Sequence, residues 1–109
     1  MSIDLPAPIA RYIEADNRAD PDAVARCFAE NAVVRDEGHT MEGSAAIRRW
    51  TAETKQEYGH TFEPLACAER DGKTVLTNRL TGHFPGSPID LQFIFELDGD
   101  EITSLEIRS

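Results

Sequence analysis

The chain has 109 residues, 40% of them apolar, enough to fill one hydrophobic core and too few for two domains. Twenty Asp and Glu against eleven Lys and Arg give a formal charge of −9, a field that repels phosphate backbones and anionic lipid surfaces and argues against nucleic acid or membrane as partner. No stretch approaches the roughly 18 apolar residues of a membrane span. The opening MSIDLPAPIARYIEAD has neither the basic start nor the apolar run of an export signal, so the expected location is the cytoplasm.

The predicted elements follow in chain order. Asp4 offers a cap, and Leu5, Ile9, Tyr12 and Ile13 recur at helical spacing, which predicts a helix to about Asn17. Asp20-Pro21 repeats the cap-then-proline signal, with Val24, Cys27 and Phe28 on the buried stripe of a short second helix. Ala32-Val33-Val34 reads as a strand, and the polar stretch from Asp36 to Gly43, with its two glycines, reads as a loop or tight hairpin. Ser44 can cap a third helix carrying Ile47, Trp50, Thr54 and Tyr58, which Gly59 is placed to end.

From His60 onward the period changes to two. Strands are predicted near Phe62–Arg70, Thr74–Phe84, Ile89–Leu97 and Ile102–Arg108, separated by Asp71-Gly72, Pro85-Gly86-Ser87-Pro88 and Asp98-Gly99-Asp100, hence antiparallel. The third of them alternates Leu91, Phe93, Phe95 and Leu97 with Asp90, Gln92, Ile94 and Glu96. Apolar groups on both faces of such a sheet predict a homodimer through the outer face. Cys27 and Cys67 lie far apart among apolar neighbours with no CxxC pattern and read as buried free thiols. His39, His60 and His83 show no His-x-His or HExxH spacing, so neither metal nor cofactor is expected.

Three segments, Ile9–Ala15, Asp22–Val33 and Gly43–Arg48, resemble in the same order those of the nuclear transport factor 2-like superfamily, which includes ketosteroid isomerases and SnoaL-like polyketide cyclases. The resemblance spans nearly the whole chain. It implies a single α+β domain over residues 1–109, with three N-terminal helices packed on a cone-shaped curved antiparallel sheet that encloses a pocket for a small hydrophobic molecule.

Asp36 ends the first strand at the glycine turn, where a short side chain can be aimed into the mouth of the cone. In the ketosteroid isomerases an aspartate after this strand moves a proton between carbons, and partial desolvation suits a carboxylate to that task. Tyr12 matches the isomerase tyrosine that donates to the substrate oxyanion. For the second donor, Pro88-Ile89-Asp90 points to Asp90, whereas alignment by the aromatic residues of the strand points to Gln92; both registers use one strand face. His39, three residues after Asp36, is placed to act as an acid or to orient the carboxylate, and Trp50, Phe62, Phe84, Phe93 and Phe95 are the large groups available as walls. The Arg-x-Asp pair of the limonene epoxide hydrolases occurs only as Arg18-Ala19-Asp20, between two helices, which disfavours epoxide hydrolysis. The functional expectation is a cofactor-independent acid/base enzyme, with a non-catalytic binding or dimerisation module as the alternative.

Overall fold

A computed structural model describes residues 3–109 as three helices and six strands: α1 (Ala7–Asn17), α2 (Pro21–Arg26), β1 (Phe28–Asp36), β2 (His39–Glu42), α3 (Ser44–Tyr58), β3 (Thr61–Arg70), β4 (Lys73–Thr81), β5 (Ile89–Asp98) and β6 (Glu101–Arg108). The strands form one curled sheet in the order β2-β1-β6-β5-β4-β3, with β2 and β3 left as unpaired edges. The four C-terminal strands are antiparallel, as their hairpin turns require, but β1 runs parallel to β6.

That parallel pair explains one departure from the sequence reading. Phe28, expected at the end of the second helix, is the first residue of β1, paired with Ile102, and the Ile102 amide donates to the Cys27 carbonyl at 3.0 Å. A six-residue helix has few bonds of its own, so sheet pairing decides where it stops. Its start agrees with the expectation: the Asp20 carboxylate accepts from the Ala23 amide at 3.1 Å, with Pro21 following. The other caps differ. Asp4 is exposed and caps nothing, since α1 opens after Pro6 without a side-chain cap. Ser44 is the first residue of α3, and the cap position belongs to Gly43 at φ +86, a conformation that favours glycine. Gly59 ends α3 in the left-handed region, as expected.

The glycine-bearing stretch after β1 is a hairpin. Asp36 pairs with His39, and the two-residue loop Glu37-Gly38 has positive φ at both positions, the geometry that matches strand twist. β4 stops at Thr81 rather than at Phe84. A Cβ on Gly82 would stand 2.6 Å from the Tyr58 carbonyl oxygen, to which the His83 amide also donates, so the chain is drawn off the sheet toward the end of α3.

The helices cover the concave face. Ile9, Tyr12 and Ile13 of α1, Val24 of α2 and Ile47 of α3 pack with Leu76, Phe93, Phe95, Ile102 and Leu105 from the sheet. Tyr12 is enclosed by Phe28, Phe62 and Phe95 at ring separations of 5.6 to 5.9 Å. Pairs of this kind contribute about 0.5–1.5 kcal/mol beyond the area they bury. Among the described residues, no helix is long and apolar enough to cross a membrane.

Candidate active site

Period two along β1 places Asp36 on the same face as the buried Ala32 and Val34, the face under the helices. The carboxylate is half-buried and accepts a hydrogen bond from the Trp50 indole Nε1 of α3 at 3.1 Å. Burial pushes its pKa above the ordinary 3.8; the Trp50 bond opposes this, Glu37 adds to it, and His39 and His60 oppose it. Desolvation is the largest of these effects, so the group is held as a stronger base than a solvated aspartate.

A cavity of about 670 Å³, open to solvent, runs inward from Asp36. Its walls are Met41, Trp50, Phe62, Leu80, Leu91, Phe93 and Ile107, and its rim carries Glu37, His39, Arg49, Glu53 and Glu57. A second hollow of about 860 Å³ adjoins it, sharing Asp36, His60, Leu80 and Leu91 and continuing to Phe84, Pro85 and Ile89. Ile89 is 38% exposed, so the outer hollow ends in uncovered apolar surface.

Of the residues singled out in the sequence, Asp36, His39, Trp50, Phe62 and Phe93 meet at the inner cavity, Phe84 lines the outer one, and Phe95 lies in the core outside both linings. Tyr12 is fully buried and is not among the lining residues; its hydroxyl has no partner. Burial, then the nearby Asp16 and Asp36, raise its pKa well above the ordinary phenol value, so it stays protonated. Asp90 and Gln92 are exposed on the convex side, because β5 turns its odd-numbered residues Leu91, Phe93 and Phe95 inward. There Arg79 grips Asp90 through two bonds, 2.8 and 3.2 Å, and lowers its pKa. The structure therefore does not bring the second-donor pair to the cavity.

What the sequence reading missed is a buried ionic cluster at the cavity wall. The Asp16 carboxylate, 2% exposed, accepts from Lys55 Nζ at 2.9 Å and lies 3.1 Å from His60 Nε2. The His60 ring stacks on Phe62 at 4.9 Å, and Lys55 also donates to the His60 carbonyl. Asp16 and His60 both line the inner cavity. The signal was present: Asp16 continues the stripe Ile9, Tyr12, Ile13, and a carboxylate on a buried stripe requires a partner. Among the described residues, no group of three or more His, Cys, Asp or Glu is arranged to hold a metal ion. Cys27 is buried and Cys67 half-buried, both as free thiols.

A curled, unclosed six-stranded sheet with three helices on its concave face, holding a desolvated aspartate at an open cavity, is the nuclear transport factor 2-like architecture. The chain belongs to the SnoaL-like domain family, whose sequence profile matches residues 9–105. A candidate polyketide cyclase from Sinorhizobium meliloti is 37% identical with a TM-score of 0.93, over 99% of both chains. A protein with a ketosteroid isomerase-like fold from Catenulispora acidiphila, solved in complex with trimethylamine, is 21% identical with a TM-score of 0.85, over 97% of this chain and 87% of that one. A nuclear transport factor 2-like protein from Cytophaga hutchinsonii is 18% identical with a TM-score of 0.75, over 98% of this chain and 92% of that one. The last two likenesses concern the fold alone. No curated protein matches the chain.

Proposed function

We propose that the protein is a cofactor-independent acid/base enzyme acting on a small hydrophobic carbonyl compound, of the isomerase or polyketide cyclase type, with Asp36 as the base. The observation that carries this reading is the Asp36 carboxylate, desolvated yet held at 3.1 Å by the Trp50 indole, at the entrance of a cavity with apolar walls. A carbon acid seated against Phe62, Leu91 and Phe93 presents a C–H beside the carbonyl to Asp36, which takes the proton and returns it at the same or another carbon. Trp50 fixes the carboxylate so that its free oxygen faces the substrate. Tyr12 supports the site from within the core, its hydroxyl kept protonated by burial and by the nearby charges of Asp16 and Asp36.

The test is deuterium uptake from D2O, read by proton NMR, into cyclohexanone, 1-tetralone and a β,γ-unsaturated cyclic ketone. At least one should exchange faster than in buffer, and Asp36→Asn should reduce the enzymatic part by about 10²- to 10⁴-fold. Buffer-rate exchange in all three, or no effect of Asp36→Asn, overturns the proposal.

A second reading is binding without catalysis. Trp50 and Tyr58 beside Asp36, Glu37 and Glu57 supply the aromatic faces and carboxylates that suit an organic cation, and the Catenulispora neighbour was solved with trimethylamine. Calorimetric titration with trimethylammonium chloride giving a Kd below about 1 mM, weakened by Asp36→Asn and unaccompanied by ketone exchange, would favour it.

A further inference from the structure

We infer that His60, oriented by Asp16, is a second acid/base group of this cavity, and that its Nδ1 exchanges a proton with an oxygen of the bound molecule. The inference rests on the reading of the cavity as a small-molecule site and extends it from one proton-transferring group to two. It also narrows the ligand to compounds with a carbonyl, enol or hydroxyl oxygen close to the carbon offered to Asp36.

The two ring nitrogens of His60 are treated differently by the fold. Nε2 lies 3.1 Å from Asp16, whose carboxylate can only accept, so Nε2 carries the hydrogen. Lys55 at 2.9 Å already balances the Asp16 charge, so the cluster does not require a charged imidazole. Nδ1 is buried and has no partner, although His60 is only 5% exposed and lines both the inner cavity and the outer hollow. A polar atom this buried is ordinarily satisfied. Here the ring is clamped on one face by Phe62 and at Nε2 by Asp16, which leaves Nδ1 as its one polar atom without a partner. The pair is one of orientation and acid/base action: Asp16 is a positioning residue and His60 the group that touches the ligand.

The proton balance closes with Asp36. The resting imidazole, with its hydrogen on Nε2 alone, takes up one proton from water at Nδ1 to give the reactive form, in which Asp36 is a carboxylate and His60 carries hydrogens on both nitrogens. Asp36 takes the proton from the substrate carbon, the C–H electron pair becomes the new carbon–carbon π bond, the carbonyl π pair moves to oxygen, and that oxygen takes the proton from His60 Nδ1. The product is a neutral enol, Asp36 has gained one proton and His60 has lost one, and no charge is left on the apolar walls. The reverse transfers restore both groups.

2-Naphthol and 2-methoxynaphthalene, which differ only in the oxygen-bound hydrogen, test this in the intact protein by fluorescence titration at pH 7. The expected result is about tenfold tighter binding of 2-naphthol, in line with one added buried hydrogen bond, together with a change of the His60 Nδ1 resonance in the 15N spectrum of histidine-labelled protein when 2-naphthol is added. His60→Phe keeps a ring against Phe62 and should remove the preference, and Asp16→Asn should lose the single Nε2–H tautomer in the same spectrum. Equal binding of the two probes, an unmoved Nδ1 resonance, or a preference that persists in His60→Phe overturns the inference. Failure of both probes to bind overturns it together with the small-molecule reading. Because binding and tautomer are read rather than turnover, absence of ketone exchange would refute Asp36 catalysis without deciding this result.

Discussion

Replacing Asp16 by Asn should be among the most damaging single changes in the chain. Asp16 is 2% exposed and Lys55 13% exposed, and their 2.9 Å contact joins α1 to α3 with His60 as third member. Removal of one partner of a buried ion pair leaves the other charge uncompensated and costs about 3–5 kcal/mol. At about 4–8 °C per kcal/mol for a domain of this size, the melting temperature should fall by at least about 12 °C. Lys55→Met added to Asp16→Asn removes the stranded ammonium, and the amide introduced at position 16, which can donate or accept, can still bond His60 Nε2 in either tautomer. The double variant should therefore recover to within about 2 kcal/mol of the unmodified protein. Calorimetric melting of the unmodified protein, Asp16→Asn, Lys55→Met and the double variant at pH 7 measures the cycle. A single Asp16→Asn loss below about 1 kcal/mol, or a double variant no better than the single, would refute the account of a desolvated pair.

Asp36 should trade stability for reactivity. Its folded pKa is raised by burial, so the ionised carboxylate disfavours the native state at neutral pH, and its contribution improves as pH falls through the raised value toward 3.8. Asp36→Asn should thus melt higher than the unmodified protein at pH 7, with the gain shrinking as pH approaches 3.8; a lower melting temperature at pH 7 would contradict this. In the ketone exchange assay Glu37→Gln should leave the rate within about twofold of the unmodified protein, against the 10²- to 10⁴-fold loss for Asp36→Asn, because Glu37 is an exposed turn residue. Tyr12→Phe should keep the fold, since the three aromatic contacts need only the ring and the hydroxyl has no partner to lose; a drop of more than about 1 kcal/mol would reveal a bond to that hydroxyl. The convex face, with half-buried Val75 and Ile94 among polar neighbours, is proposed as a dimer surface, and light scattering at micromolar concentration should return twice the 12.1 kDa chain mass. A monomer mass would rule that surface out.

Much of the fold was legible because local chemistry and tertiary demand agree. Asp20-Pro21 caps α2, Gly59 closes α3, and Asp71-Gly72 takes the positive φ of its hairpin, each for reasons that act within a few residues. The position of Asp36 was legible for the same reason, since a strand end beside a glycine turn is a local feature. What lay beyond the sequence depends on contacts that span the chain. The parallel pairing of β1 with β6 took Phe28 from a helix into a strand, and the approach of Gly82 to Tyr58 ended β4 early. Alternation placed Asp90 and Gln92 on one face, but which face looks inward was decided by where the helices dock. Asp16, Lys55 and His60 become one cluster only when α1, α3 and the start of β3 converge. Residues 44 positions apart share no periodicity, and burial alone makes their charges depend on one another.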